Sequence, residues 1–210
     1  MKIDLPPEQR QANRSDWKAV GDITAEAFAE DPVNLHVFGS ARAIKTTMRI
    51  MARDVYLKHG LCFLHGERGA TMWVRPGDSA PFSGLAMLKF AAGMAVYASH
   101  GALARATRLG ERMAKHHPET PHMYLFTIGA RASARGKGVG KALLAPVLAA
   151  CDRDGVPVYL ENSNPANAGF YRAHGFETIT KFEIGDPGSP VMEPMWREPT
   201  SSGSQPHSNY

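Results

Sequence analysis

The sequence predicts a single α/β domain, and three observations support that prediction. The chain has 210 residues, 43% of them hydrophobic and 9% aromatic, which suits one domain with a substantial core. Apolar runs of strand length alternate with helical patterns along most of the chain. Residues 123–140 join an apolar run, a short turn, a glycine-rich loop and the start of a helix. This last unit is the centre of the predicted fold.

Charge and cysteine content indicate which kinds of ligand and which location to expect for the protein. The 24 basic and 20 acidic residues give a net charge of +4, which suits an anionic ligand without indicating nucleic acid. Cys62 and Cys151 have no metal-ligand spacing, so we expect buried free thiols. Residues 1–10 carry no apolar signal segment, and the apolar stretch 84–98 is too short to span a membrane. We therefore expect a cytoplasmic protein without a membrane partner.

The N-terminal part is predicted to combine helices with a β-hairpin. Pro32 ends the first helix because the residue before a proline resists helical angles, and Gly60 stops the second. The expected elements are an edge strand at 2–5, a helix from Ser15 or Asp16 to about residue 30, a helix at 41–59, and hairpin strands at 61–65 and 70–74.

Residues 81–118 are predicted to form a helical insertion that Gly101 divides in two. The second helix carries a basic face, because its cationic residues are spaced three or four apart. That face is either a patch for nucleic acid or an acidic partner, or, more commonly, a solvated surface. Its members are Arg105, Arg108, Arg112 and Lys115.

A metal site is not expected. His116, His117 and His122 are the best candidates, but adjacent side chains in a strand or turn point apart. No carboxylate or thiol has ligand spacing to them.

The C-terminal part is predicted to continue the alternation of helices and strands. Pro146 should bend its helix, and Pro194 predicts that the last strand is bulged or lies at an edge. The expected elements are a helix from Val139 to about Asp154, a strand at 155–161, a helix capped by Asn164, and strands at 181–184 and 191–196. Residues 198–210 have no apolar content, so we expect a domain over 1–197 and a disordered tail.

The loop at residues 135–141, which reads RGKGVGK, is predicted to bind an anion. Its glycines let a ligand approach the backbone, and the first N–H groups of a helix have no partner of their own. A Walker loop would need glycine at Arg135 and serine or threonine at Ala142, and a dinucleotide fingerprint would need glycine or alanine at Lys141. Neither of these phosphate loops matches.

Two motifs together resemble the GCN5-related N-acetyltransferases (GNATs). The first is R-G-x-G-x-G at 135–140, directly after a strand. The second is LENSNPANAGFYRAHGF at 160–176, which is similar to the family's L-E-x-x-N-x-x-N-x-x-F-Y-x-x-x-G-F. With AFAEDP at 27–32, the resemblance is closest to the puromycin N-acetyltransferase-like branch and extends from Ala25 to about Met195.

The resemblance implies a mixed, splayed sheet of six or seven strands with helices on both faces, and binding of acetyl-coenzyme A. A bulge near residues 128–130 would place a backbone N–H at the thioester carbonyl, although Ala130 and Ala132 replace the family's frequent valine and proline. The implied cofactor-binding residues are Ile128, Gly129, Ala130, Arg135, Gly136, Lys137, Gly138, Val139, Gly140, Lys141, Asn167 and Tyr171.

The catalytic candidates are Tyr171, from the resemblance, and Glu161, from its place at the end of its predicted strand. The hydroxyl of Tyr171 would face the cofactor sulfur as general acid, and the alternative is a packed aromatic ring. Glu161 would accept the amine proton, and the alternatives are substrate recognition or a structural hydrogen bond. His36, His122 and His174 are weaker candidates for the base.

We therefore expect acetyl-coenzyme A-dependent N-acetylation of a primary amine, most simply on a small molecule. Direct transfer in a ternary complex is expected, because no cysteine is placed to carry the acetyl group. The 81–118 insertion would lie on the acceptor side. A protein or peptide amine is the alternative acceptor, and a non-catalytic acyl-coenzyme A-binding module is the alternative class. Nucleic acid is not an expected partner, and a homodimer is compatible with the sequence.

Overall fold

The computed structural model of the protein describes residues 1–200 and contains one mixed sheet with helices on both faces. Its strands are β1 (Gln9–Gln11), β2 (Leu61–His65), β3 (Gly69–Val74), β4 (Met123–Ala130), β5 (Val158–Asn162), β6 (Glu177–Thr178), β7 (Phe182–Glu183) and β8 (Val191–Arg197). Its helices are α1 (Trp17–Ala27), α2 (Pro32–Phe38), α3 (Ala41–Ile50), α4 (Leu57–His59), α5 (Gly84–Tyr97), α6 (Ala102–His116), α7 (Val139–Asp154) and α8 (Ala168–Arg172).

The sheet has the order β1-β2-β3-β4-β5-β8-β6, and the short β7 also pairs with β8. Strands β1 to β4 run antiparallel to one another, β4 and β5 are parallel, and β8 is antiparallel to β5. The predicted α/β class and mixed sheet are confirmed, with eight strands in place of six or seven.

Every residue of β2 and β3 is buried, as expected for strands covered on both faces. Side chains of alternate residues enter different layers. Phe63 and Trp73 pack with α7, whereas Leu64 and Met72 pack with α1. The sheet therefore holds α1 and α7 on opposite sides of β4.

The helical insertion packs against α2 and α3 and encloses a third cluster. Phe90 and Met94 of α5 lie with Val37, Ile44 and Met192 in this cluster. Gly101, in the left-handed conformation at φ 76°, separates α5 from α6 as predicted. Phe90 and Met94 are thus core residues, whereas Met87 and Tyr97 of the same helix are exposed.

Part of the basic face of α6 is committed to contacts within the domain. Arg105 donates to the carbonyls of Val37 and His100, and Arg112 donates to the carbonyl of Glu183. These bonds tie α6 to α2 and β7, so two of its four cations stabilise the insertion.

Residues 2–5 do not form the predicted edge strand. The sheet edge is β1, seven residues further along, which pairs with β2. Ile3 and Leu5 pack against the cluster on the α7 side without pairing. Alternating apolar residues here cover the core, and Pro6-Pro7 separates them from the strand.

The prediction that Pro194 marks a bulged or edge strand is wrong. Pro194 lies opposite Glu161 in a regular pairing of β8 with β5, inside the sheet. Its carbonyl accepts from the Ile179 amide at 2.9 Å, on the side of the short β6. A missing N–H is tolerated there because β6 ends at Thr178.

The predicted helix over 41–59 is present, but its middle is a π-helical segment, Met51–Tyr56. Such segments are uncommon and frequently occur at functional sites. Tyr56 stacks on Phe126 of β4, with ring centroids 4.5 Å apart.

Among residues 1–200, no helix is long and apolar enough to cross a membrane. The first residues of the predicted tail make hydrogen bonds to the domain. Glu198 accepts from Trp196 Nε1 at 2.7 Å, and the Thr200 amide donates to Asp152 at 2.8 Å. Residues 201–210 of that tail lie outside the described residues.

Candidate active site

Strands β4 and β5 pair only where they begin. Residues 123–125 pair with 158–160, and both strands then continue without pairing to each other, β4 to Ala130 and β5 to Asn162. The β5-facing edge of β4 is therefore open from Phe126 onward, which is the predicted splay.

The bulge in β4 lies at Phe126, not at residues 128–130 as predicted. Leu125 pairs with Trp73 and Thr127 pairs with Met72, which leaves Phe126 without a partner, whereas 128–130 pair regularly with β3. The bulge lets Phe126 stack on Tyr56. Its position therefore depends on the π-helical segment rather than on the nearby glycine.

Gly129 has a different reason to be glycine. A β-carbon at this position would lie 2.7 Å from Cβ of Ala27 and 3.3 Å from Cα of Thr24. Glycine lets α1 cross β4 at close range, so the end of α1 reaches the open edge of the strand.

The link from β4 to the glycine loop is fixed by one carboxylate. Glu26 accepts from the Ala132 amide at 2.8 Å and from Arg131 Nη1 at 2.7 Å. Both hydrogen bonds lower the pKa of Glu26, and the bond from the Ala132 amide has the larger effect. They hold the chain in place as it enters the loop.

The loop has the geometry of an anion site. Gly136 and Gly138 have φ of 73° and 76°, and Gly138 is the N-cap of α7. Within residues 1–200, the amides of Gly136, Gly138, Val139 and Gly140 donate to no other protein group. Lys137 and Lys141 are exposed, and neither lies within ion-pair distance of a carboxylate in that range. The free amides, the positive end of the helix dipole and the lysine cations therefore lie together at the start of α7, as an anion site requires.

A cleft of about 310 Å³ lies beside the open edge of β4. Five of the predicted cofactor residues line it: Ile128, Gly129, Ala130, Arg135 and Asn167. The rest of its wall is Ala27, Phe28, Glu30, Asp31 and Asn164. The cleft thus connects the α1–α2 turn, the open strand and the glycine loop.

Asp31 joins the two walls of this cleft, a role not predicted from the sequence. It caps α2 by accepting from the Asn34 amide at 2.9 Å, and it accepts from Ser163 Oγ at 2.6 Å. As predicted, Asn164 caps the following turn, with Pro165 at its first position. These bonds place Asn167 at the cleft.

Tyr171 lies in α8 and is 8% exposed. Its ring packs on Phe170 and Phe176, and its hydroxyl makes no hydrogen bond with residues 1–200. Burial, followed by the charge of Asp31, raises the pKa of Tyr171. Tyr171 therefore stays protonated at neutral pH and keeps its donor available.

Glu161 lies one residue beyond the last β4–β5 pair, and its side chain is 3% exposed. Oε2 accepts from the Tyr124 hydroxyl at 2.7 Å. Oε1 has no hydrogen-bond partner, and Nδ1 of His117 is 3.7 Å from it. Of the predicted alternatives, the structural hydrogen bond is present, and one oxygen remains for another donor.

The structure does not bring Glu161 and Tyr171 into contact. Leu160 and Glu161 point to opposite faces of β5. Tyr171 packs with Leu160 on the α7 side, while Glu161 contacts Tyr124 on the other. The two predicted catalytic residues therefore approach the splay from opposite faces.

Other histidines have separate surroundings. His174 Nδ1 lies 2.7 Å from the Phe170 carbonyl, and the buried His122 lies 2.7 Å from the Thr120 carbonyl through its own Nδ1. His117, considered from the sequence only as a metal ligand, is the histidine beside Glu161. Within residues 1–200, no three His, Cys, Asp or Glu side chains are grouped to hold a metal.

Comparison with known proteins finds acetyltransferases that are similar in sequence. Residues 85–176 match the model of the acetyltransferase (GNAT) family. An uncharacterised N-acetyltransferase of Schizosaccharomyces pombe is 26% identical, over 90% of this chain and 83% of its own length.

Solved structures share the fold. An acetyltransferase of Corynebacterium glutamicum, described as histone acetyltransferase HPA2 and related acetyltransferase, is 26% identical with a TM-score of 0.67, over 93% of this chain and 98% of its own. Arylalkylamine N-acetyltransferase 2 of Aedes aegypti, 12% identical, has a TM-score of 0.61 over 91% of this chain and 98% of its own. The chain therefore has the GNAT fold, and its sequence is similar to that of GNAT acetyltransferases over residues 85–176.

Proposed function

We propose that the protein transfers the acetyl group of acetyl-coenzyme A to a primary amine of a small molecule. The observation that supports this most is the continuity of the cleft with the glycine loop. An extended pantetheine arm fits the open edge of β4, and a diphosphate fits the free amides at the start of α7. Arg135, Lys137 and Lys141 would bind its charge.

When bound, acetyl-coenzyme A supplies an activated acetyl group as a thioester. We assign polarisation of the carbonyl to backbone N–H groups around the bulge at Phe126. Residues 128–130, which were predicted to polarise the carbonyl, instead form part of the cleft wall in this proposal.

Tyr171 would donate a hydrogen bond to the sulfur as negative charge develops there. A phenol has a pKa near 10 and a thiol near 8.5, so outright transfer from tyrosine to a thiolate is uphill by about 2 kcal/mol. Burial increases that difference. The proton that finally reaches sulfur must therefore come from the acceptor nitrogen, with Tyr171 stabilising the charge.

Glu161 is the proposed acceptor of the amine proton. Its position one residue beyond the last β4–β5 pair supports this role, because the two strands begin to separate there.

A protein or peptide amine is the second candidate acceptor, favoured by the histone acetyltransferase description of the Corynebacterium glutamicum protein. Kinship to the puromycin N-acetyltransferase-like branch remains a prediction. A non-catalytic module would bind coenzyme A without releasing thiol in the presence of any amine.

Calorimetry and a thiol-release assay test the proposal together. We expect acetyl-coenzyme A to bind with heat, and thiol to appear with at least one amine from a panel of alkylamines, arylalkylamines, aminoglycosides, puromycin and N-terminal peptides. Tyr171→Phe should lower kcat by about 10-fold to 100-fold with cofactor affinity unchanged. If acetyl-coenzyme A does not bind, the proposal is wrong. Binding without turnover favours the non-catalytic module. Light scattering on the same sample tests whether the protein forms a homodimer.

A further inference from the structure

A second cavity, of about 400 Å³, lies between residues 74–80 and 117–124. It is separate from the cleft at the glycine loop, and the two share no lining residue. Its aromatic wall consists of Tyr56, His117, His122 and Tyr124.

Glu161 lies directly behind this wall. Tyr124 donates to Oε2 of Glu161 and His117 lies 3.7 Å from Oε1, and both side chains line the cavity. His117 is 37% exposed, whereas Glu161 is 3% exposed. A buried carboxylate oxygen without a hydrogen bond is costly, so Oε1 needs a donor, and His117 is the side chain placed between it and the cavity.

We propose that His117 relays the acceptor's proton from Glu161 to this cavity, a role that rests on the proposed acetyl transfer. A primary ammonium loses one proton to Oε1 of Glu161 before its nitrogen attacks the thioester carbonyl carbon. The C–N bond forms, the C–S bond breaks, and a second proton from the nitrogen ends on sulfur. The first proton passes from Glu161 to Nδ1 of His117 and then to solvent, which regenerates the carboxylate.

The 3.7 Å between Nδ1 and Oε1 exceeds a hydrogen bond, so the proton crosses after a small ring movement or through one water. The exposure of His117 allows that movement. A buried carboxylate without such a partner would have no route for returning its proton to solvent.

The groups around the pair leave His117 as the one suited to this role. Burial lowers the pKa of His122, which keeps that imidazole neutral, and its Nδ1 is occupied by the Thr120 carbonyl. Burial, and then the charge of Glu161, raise the pKa values of Tyr56, Tyr124 and Tyr159, which stay neutral. Arg75, Asp78 and Glu119 lie at the cavity wall. An imidazole is the group that exchanges protons near neutral pH.

The first test is kcat for acetyl transfer by the full chain at pH 7. We expect His117→Gln to lower kcat by about 10²-fold and to leave KM for acetyl-coenzyme A unchanged. Added imidazole should restore part of the rate of His117→Ala. His116→Gln is the matched control, because His116 stacks on Phe182 at 4.2 Å instead of facing Glu161. Wild-type kcat in His117→Gln, or no recovery of His117→Ala by imidazole, overturns the relay.

The second test needs no turnover. In nitrogen-15 histidine spectra at neutral pH, we expect the Nδ1 signal of His117 to move in Glu161→Gln, because Oε1 of Glu161 is the acceptor that Nδ1 faces at 3.7 Å. The His116 signals should not move. An unchanged Nδ1 signal of His117 in Glu161→Gln overturns the relay even if the enzyme acetylates amines. Coupled His117 and Glu161 in a protein that acetylates nothing would instead refute the proposed function.

Discussion

The hydroxyl of Tyr124 donates a 2.7 Å hydrogen bond to Oε2 of Glu161 across the boundary between β4 and β5. Tyr124 pairs with Tyr159 in that boundary, and Glu161 lies just beyond its last pair. This bond therefore fixes one carboxylate oxygen at the point of splay and leaves the other oxygen directed to His117.

Tyr124→Phe should destabilise the fold and impair turnover while leaving cofactor affinity intact. Removing the donor leaves a buried carboxylate oxygen unsatisfied, which costs about 1–3 kcal/mol. Urea unfolding and kcat measure the two effects. Tyr97→Phe, at a tyrosine that is 40% exposed, should change neither. Full stability and turnover in Tyr124→Phe would show that the bond does not position Glu161.

Gly138→Asp should abolish most coenzyme A binding without unfolding the protein. Aspartate tolerates the left-handed conformation better than most residues, and its charge would repel a diphosphate by about 1–4 kcal/mol at contact range. Gly155→Asp is the matched control at the other end of α7, with φ of 66° against 76°. Neither glycine has an atom within 4 Å of its missing β-carbon. Calorimetry with coenzyme A should separate the two variants by at least about tenfold in Kd, and equal affinities would exclude the loop as the diphosphate site.

Gly129→Ala should cost about 1–3 kcal/mol through overpacking against α1. The added methyl would lie 2.7 Å from Cβ of Ala27, so Ala27→Gly in the same chain should recover part of the loss. Denaturant unfolding of both single variants and the double variant gives the coupling free energy. Additive losses would mean that the two positions do not meet.

Stability should fall with rising pH above about 10 because several buried tyrosines must ionise on unfolding. Burial raises the pKa of Tyr159 in the folded protein, so the unfolded state loses its proton first. The folded state binds more protons, and the slope of the unfolding free energy is negative, up to about 1.4 kcal/mol per pH unit for each tyrosine. Tyr159→Phe should reduce that slope in urea unfolding between pH 9 and 11, whereas Tyr97→Phe should not. Equal slopes in all three proteins would exclude Tyr159 as a source of this pH dependence.

Features set by neighbours in the chain could be predicted. The strand, the left-handed Gly138 and the start of α7 follow from one continuous stretch of sequence. Asn164 and Pro165 likewise predict their turn, because a cap is chemistry between adjacent residues. The loop half of the site belongs to this class.

Features set by distant partners could not be predicted. The bulge lies at Phe126 because Tyr56 offers a ring there, and Tyr56 is placed by a π-helical segment without a clear sequence signal. Gly129 suggested a bulge locally, yet it serves a helix crossing. His117 became a functional candidate only when the end of α6 was seen beside β5.

Within residues 1–200, only three backbone pairs, 123–125 with 158–160, join the antiparallel half of the sheet to the half that contains β5 and β8. A ligand bound beyond those pairs would bridge the two halves of the sheet, which share few backbone pairs of their own. Ligand binding and stiffening of the sheet would then occur together. The rigidity of the protein would therefore depend on the concentration of its proposed acyl-coenzyme A ligand.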